Sequence, residues 1–361
     1  MNIVYFIGNG FDLNAGLNTR YIDFYTDLIE TKGDKVNPEI EKLRDSISKY
    51  CKGGKKEIDW GDAELGFGQY TSVVKDEDGS DRIVADCHNY LCENLSSYLD
   101  KEEKRFPYSK IQKDDSLLAE LWNGFIDVGK GLRPADHSKI TNYMHFLPNA
   151  IDVHILDFNY TALVDRLISQ MEKKHICGTR VYNHTTYRNQ ISCLHVHGTT
   201  SHGLAFGVND NTQFDGAAFE GGLIEYSRQI VKPLFVSDMG EETQEKAIRI
   251  INSADIFYIY GMSIGNTDLY WWKLLMNRMK ENKRAILIIH DLSVPTIGRS
   301  PTPYTINLRL NREKMVSIIP ELSDDIKSSL YDRIFTTPGN VFDCLEKIVD
   351  LTEKEEKPEP T

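Results

Sequence analysis

The most chemically loaded pair in the sequence is His195 and His197, within Leu194-His195-Val196-His197-Gly198. On a strand, residues two apart share a face, so both imidazoles are expected to point the same way. A single histidine at a strand end titrates near neutral pH and suits a general base. Two on one face can also ligate zinc, with His202 as a third ligand. No Cys, Asp or Glu completes that set at a recognisable spacing, so no metal is expected. One buried, hydrogen-bonded histidine beside an exposed one is the structural alternative.

Other short runs carry chemistry of different kinds. Gly8-Asn9-Gly10 lies between an apolar run and a helical pattern, where backbone N–H groups and a helix N-terminus suit a phosphate. Leu13 occupies the third glycine position of G-x-G-x-x-G, and no acidic residue falls where a dehydrogenase holds its ribose. An NAD dehydrogenase is therefore disfavoured, and a plain tight turn is the alternative. Asn159, in Asp157-Phe158-Asn159-Tyr160-Thr161, follows a predicted strand; it would orient a water or a ribose hydroxyl, or cap the next helix. Gly261-Met262-Ser263-Ile264-Gly265 matches the G-x-S-x-G nucleophile elbow. The one later histidine is His290, Asp268 would share the helix after Ser263, and Asp291 follows His290, so a serine triad has poor support. Asp62 and Glu64, beside Trp60, pair two carboxylates for acid–base work or supply charge to a helix N-terminus.

These runs need elements to hold them. Ile3 to Ile7 is a β-rich apolar run of the kind buried on both faces, and Tyr21, Phe24, Tyr25 and Leu28 continue as a helix. From 31 to about 150 the period is helical, through Ile83, Cys87, Tyr90, Leu91 and Leu95 and then Leu118, Leu121, Trp122, Phe125 and Ile126. Strands are predicted at 153–158, 191–196, 256–260 and 285–289, with helices at 162–173, 245–251 and 268–280. That alternation argues for a parallel sheet with helices on both faces. The expected organisation is an α/β domain made of residues 1–30 and 150–351, an all-α insertion after the first strand at 31–149, and a disordered tail at 352–361.

Composition narrows the classes. In 361 residues, 54 Asp and Glu outnumber 42 Lys and Arg, a formal charge of -12 that should repel phosphate backbones and anionic membranes. No basic patch offsets it, so direct nucleic-acid binding is not expected. The apolar runs are too short to cross a bilayer, and no signal peptide is apparent, so a cytoplasmic location is expected. The six cysteines at 51, 87, 92, 177, 193 and 344 form no C-x-x-C pair and suggest neither a disulfide framework nor a zinc ribbon.

The order of the motifs is more specific than any one of them. IVYFIGNGFDLNAGLNTRYIDFY, residues 3–25, closely resembles the opening of the bacteriophage abortive infection AbiH family, in which a strand leads into G-N-G-F-D and then G-L-x-T-x-Y. It is also similar to the sirtuin opening G-A-G-x-S-x-x-S-G-I-P, with Gly8, Gly10, Gly16 and Leu17 in register and Asp12 where sirtuins have Ser. Asn159 falls on the Asn of the sirtuin T-Q-N-x-D segment, and His197-Gly198 resembles the sirtuin His-Gly. Lys232-Pro233 with Leu234-Phe235-Val236 resembles K-P-x-x-V. Gly261-Met262-Ser263 stands where sirtuins carry G-T-S, and Leu287 to His290 where they carry L-I-N, with His290 replacing the Asn.

The resemblance implies a Rossmann-like, sirtuin-type fold. The sirtuin zinc module of two C-x-x-C pairs is missing, so the implied activity is not protein deacylation but hydrolysis of NAD to nicotinamide and ADP-ribose in bacterial antiviral defence. On that reading NAD is the substrate and no metal is needed. His197 would be the base, and Asn159 would orient water and the nicotinamide ribose. Gly8, Asn9, Gly10 and Asp12 would cradle pyrophosphate and ribose, while Gly261, Ser263 and His290 complete nucleotide binding. A homo-oligomer and a phage-derived trigger or partner protein are implied as well. A nucleotide-sensing scaffold without turnover and a serine hydrolase built on Ser263 remain as alternatives.

Overall fold

Ile3, Val4, Tyr5, Phe6 and Ile7 are all 0% exposed, because the strand they form is covered on both faces. The structure is a computed structural model that describes residues 1–32, 37–51, 60–147, 150–220, 224–239, 241–293, 302–320 and 322–348. Its strands are β1 (Asn2–Ile7), β2 (Asp152–Asp157), the hairpin β3 (Thr179–Tyr182) and β4 (Thr185–Arg188), β5 (Gln190–His195), the short pair β6 (Gly198–Thr199) and β7 (Gly203–Leu204), β8 (Ile256–Tyr260), β9 (Ile286–His290) and β10 (Ile334–Thr337).

Six of them form one sheet in the order β10-β9-β8-β1-β2-β5, every neighbouring pair parallel. Counting only this sheet's strands along the chain, the order from the β5 edge reads 3-2-1-4-5-6, that of doubly wound dinucleotide-binding folds. The chain leaves β1 toward β2 and later returns to β1's other side with β8. The direction of winding therefore reverses between β1 and β8, and a crevice opens there at the strands' carboxyl ends.

Between β1 and β2 the described residues form helices and no strand: α1 (Gly10–Asn14), α2 (Tyr21–Lys32), α3 (Pro38–Cys51), α4 (Trp60–Val74), α5 (Ser80–Glu103), α6 (Tyr108–Lys113), α7 (Asp115–Ile126) and α8 (Pro134–Phe146). Then come α9 (Leu163–Lys173), α10 (Lys232–Met239), α11 (Glu241–Ser253), α12 (Leu269–Glu281), α13 (Thr302–Ser317) and α14 (Asp324–Tyr331). Amphipathic spacing explains their placement. In α9, Leu163, Val164, Leu167, Ile168 and Met171 are buried as one stripe against the sheet. The side chain of Asp114 accepts from the N–H groups of Ser116 and Leu117 and so caps α7.

Alternate β1 side chains serve opposite layers. Ile3, Tyr5 and Ile7 pack with Leu121, Phe125 and Leu167 from α7 and α9. Val4 and Phe6 pack with Ile251, Trp272 and Met315 from α11, α12 and α13. The helices between the first two strands thus divide: α7 belongs to the sheet's covering layer, whereas Phe24, Phe67 and Leu91 of α2, α4 and α5 join a separate cluster with Tyr160 and Phe206. The tail at 352–361 lies outside the described residues. Among the described residues, no helix is long and apolar enough to cross a membrane.

Candidate functional site

A cleft of about 760 Å³ sits on the carboxyl ends of the strands at the β1–β8 reversal, and all nine residues singled out for substrate chemistry line it. Gly8, Asn159, Gly261 and His290 end or lie within two residues of the ends of β1, β2, β8 and β9, so parallel strands deliver them to one edge.

The loop after β1 is already hydrogen-bonded. Gly8 N–H donates to Tyr260 O at 3.0 Å, Gly10 N–H to Gly261 O at 2.7 Å and Phe11 N–H to Gly8 O at 2.9 Å. Asn9 Oδ1 accepts from the Thr19 hydroxyl. These groups tie β1 to β8 across the crevice. Asp12 is 1% exposed and accepts from Thr161 Oγ1 at 2.8 Å and Asn159 Nδ2 at 3.4 Å. Burial and the nearby Asp157 raise its carboxyl well above the ordinary range, against the Thr161 hydrogen bond.

Asn159 is buried. Its Nδ2 donates to Gly8 O at 3.2 Å, and its backbone N–H to Asp157 Oδ1 at 2.9 Å. The helix-cap alternative does not hold, because the N-terminal neighbour of α9 is Ala162, with no side-chain cap. Asp157 itself ends β2, where dinucleotide-binding sheets carry their ribose-binding acid. Here it is 0% exposed, faces His195, and is not part of the cleft.

The two histidines part company, contrary to the expectation of a shared face. β5 stops at His195, so the two-residue alternation does not carry on to His197. His195 turns away from the cleft: its Nδ1 lies 3.1 Å from Asn159 O and its Nε2 2.5 Å from Asp165 Oδ2. Burial pulls its pKa down, but Asp157 and Asp165 overcome this and hold it at about 9. Burial pushes Asp157 up to about 7, with His195 opposing. His202 is exposed and bonded to Ser201 and Thr199, so the three histidines do not gather around one point.

His197 faces the cleft, 3% exposed, with its ring edge-on to Phe158 at 5.0 Å. Gly198 follows at φ 76°, and a Cβ there would lie 1.8 Å from Gly203 O, so the β6–β7 turn itself requires this glycine. His197 Nε2 lies 3.3 Å from Asp268 Oδ1, but the alignment makes no hydrogen bond and both atoms are buried without one. Burial first, and the Lys232 ammonium second, push His197 well below the usual value and so favour its neutral form.

Lys232, Glu64 and Asp268 complete this corner. Lys232 Nζ sits 2.6 Å from Glu64 Oε2 and 3.6 Å from Asp268 Oδ1, and Lys232 and Glu64 are both almost fully buried. Burial lifts Glu64 to about 7 although Lys232 pulls it down. Lys232 stays above the ordinary lysine value because Asp268 and Glu64 outweigh its burial. Tyr160 OH donates to Ala205 O at 3.1 Å and to Glu64 Oε1 at 3.4 Å. Sequence reasoning missed this cluster as a cluster. Lys232 stood out through K-P-x-x-V, Glu64 as one of two carboxylates, and Asp268 as a triad acid; no local pattern joins α4, α10 and the turn before α12. The side chain of Asp62, the other paired carboxylate, lies outside the described residues.

Ser263 lines the cleft on an exposed loop, and α12 begins only at Leu269. A nucleophile elbow needs a sharp strand-to-helix turn at the serine, and this loop lacks one. His290 stacks on Tyr260 at 4.5 Å, and burial lowers it to about 4 despite Asp291.

The arrangement gathers an imidazole, an amide and buried carboxylates around a crevice of about 760 Å³. A family model described as bacteriophage abortive infection AbiH matches residues 4–290. No curated protein matches the chain.

Proposed function

The chain belongs to the bacteriophage abortive infection AbiH family, and on that premise we propose that it is an NAD glycohydrolase of antiviral defence with a sirtuin-like site. One observation carries the reading. His197 and Asn159, from the ends of two adjacent strands, meet Asp12 and Asp268 in a crevice at the winding reversal of a dinucleotide-type sheet.

Hydrolysis of NAD breaks a C–N glycosidic bond. The bond's electron pair leaves with nicotinamide, whose ring nitrogen is already cationic, so no acid need protonate it. The protein's task is to hold the ribose, place a water and remove its proton. His197 Nε2 takes that proton, and Asp268 at 3.3 Å stabilises the resulting imidazolium. Asn159, fixed through Nδ2 by Gly8 O and Asp12, turns its amide oxygen to the water or to a ribose hydroxyl. The Asp268 carboxylate also favours the oxocarbenium character that develops on the sugar. Ser263, Gly261 and His290 contact the phosphates or the adenosine half. Glu64 brings the helical segment into the same crevice, so a signal that shifts α4 reaches Lys232 directly.

The Gly8 and Gly10 N–H groups, expected to cradle pyrophosphate, already donate to Tyr260 O and Gly261 O, so a phosphate would have to be met by other groups of the cleft; binding of a nucleotide without turnover is the second reading. Incubation of purified protein with NAD separates the two. Nicotinamide and ADP-ribose in equal amounts support the glycohydrolase. Saturable binding with NAD left intact, in vitro and in phage-challenged cells, supports the sensor.

A further inference from the structure

We propose that Asp157, Cys193 and His195 form a buried structural site for a zinc-class divalent cation beneath the Asn159 turn. The donors come from two neighbouring strands. Asp157 ends β2, His195 ends β5 opposite it in register, and Cys193 lies two residues earlier on the same face. One donor atom from each lies within 4.8 Å of the others. Ligands of one tetrahedral zinc ion stand about 3.3–3.8 Å apart at ordinary bond lengths, so a small contraction of three side chains closes the set.

Two independent features point to a ligand. Asp157 Oδ2 is wholly buried and accepts no hydrogen bond, although it lies 3.9 Å from His195 Nδ1. The His195 ring faces this oxygen without hydrogen-bonding to it, so a cation in place of the Nδ1 proton would meet both the carboxylate oxygen and the ring nitrogen. On the far side of the ring, His195 Nε2 lies 2.5 Å from Asp165 Oδ2. Metal-bound histidines are held in this way, the free nitrogen donating to a carboxylate while the other carries the metal. Nδ1 lies 3.1 Å from the main-chain oxygen of Asn159 and faces Asp157, so its proton must leave when the cation binds. That oxygen or a water is the fourth ligand.

The donor set selects the metal. A thiolate with an imidazole and one carboxylate suits zinc and disfavours magnesium and calcium, which take oxygen donors. Thiolate and carboxylate together carry two negative charges, which the cation neutralises in a buried place. Binding transfers the Cys193 and any Nδ1 proton to solvent. None of the three ligands lines the cleft, so the role is structural: the cation pins residues 157–159 and thereby positions the Asn159 side chain. The inference does not depend on what the cleft does.

Tag-free, full-length protein is stripped with a chelator and titrated with zinc chloride or cobalt chloride. One tight equivalent is expected, and the cobalt form should show a near-ultraviolet thiolate-to-metal band. Cys193→Ser should abolish the band while Cys177→Ser keeps it, and Asp165→Asn should weaken zinc about 10–100-fold. X-ray absorption of the zinc-loaded wild type requires no variant to fold and should report one sulfur with nitrogen and oxygen neighbours. No stoichiometric binding, a sulfur count other than one, or a cobalt band retained in Cys193→Ser would each overturn the site.

Discussion

Gly10 and Gly261 meet backbone to backbone across the winding reversal: a Cβ on Gly10 would lie 2.4 Å from Gly261 Cα, and one on Gly261 would lie 2.6 Å from Gly10 Cα. The glycines of this turn are therefore needed for the contact between the loops after β1 and β8, whatever ligand the crevice holds. Gly261 also takes φ 63°, which adds strain for any side chain.

Gly10→Ala should accordingly destabilise the fold by about 1–3 kcal/mol, the usual cost of forcing atoms into a packed site. Gly261→Ala combines that overlap with the backbone strain and should cost more. Thermal unfolding of both variants, with no ligand present, checks this. Wild-type stability together with weakened nucleotide binding would mean that the glycines serve the ligand instead.

Lys232 lies between two carboxylates, 2.6 Å from Glu64 and 3.6 Å from Asp268. Lys232→Met should destabilise by about 3–5 kcal/mol, because it strands buried charge. Adding Glu64→Gln to that variant should recover part of the loss, since the amide needs no counter-ion. Chemical denaturation of the single and double variants measures the recovery.

The same cluster gives a pH dependence with a definite sign. Glu64 titrates at about 7 when folded and near 4.5 as an ordinary glutamate. The folded state thus holds the proton more tightly, and the contribution of this group to stability is present below 4.5 and lost as pH rises through 7. Without Lys232 the carboxyl loses the partner that pulls its pKa down, so Lys232→Met should regain stability relative to wild type as pH falls from alkaline values towards 7. Melting temperatures of the two proteins across that range test it; a constant gap would refute the assignment.

Ser263 is exposed and off any elbow. Ser263→Ala should weaken nucleotide binding by about 1.5–3 kcal/mol if its hydroxyl meets a phosphate, chiefly as a rise in KM with kcat retained. Loss of all turnover, with covalent labelling of wild-type Ser263 by a fluorophosphonate, would restore the serine-hydrolase reading.

Local pattern exposed most of the frame and little of the corner where charge collects. β1, β2, β5, β8 and β9 follow predicted strands because each is built around apolar, β-branched or aromatic residues, with polar residues interspersed in β2 and β5. β10, Ile334–Thr337, is too short to register, and two of its four buried side chains are threonines. Asn159, His197 and Gly261 were legible because each sits just past a strand end. The Glu64–Lys232 pair was not, since its partners stand 168 positions apart (232 minus 64) on two helices and neither period nor spacing reaches that far. Part of the helical stretch also proved inseparable from the sheet: Phe125 of α7 packs edge-on to Tyr5 at 5.3 Å, and helical periodicity alone does not tell a covering helix from an inserted one.

The decisive variants concern His197 and Asn159. His197→Gln keeps most of the buried volume against Phe158 and removes the base, so it should lower nicotinamide release about 10²–10⁴-fold with little change in NAD affinity. Asn159→Ala should also depress turnover, but it breaks the hydrogen bonds to Gly8 O and Asp12 and is expected to cost stability as well. Asp268→Asn should fall between wild type and His197→Gln, because it leaves the base in place and removes only the charge that stabilises its protonated form. His195→Gln is the control outside the cleft: its effect should appear in melting temperature before it appears in turnover. This ordering follows from the proposed chemistry, in which His197 takes the proton and Asn159 orients the water or the ribose. Turnover that survives intact in a folded His197→Gln, Asp268→Asn double variant would remove His197 from the chemistry.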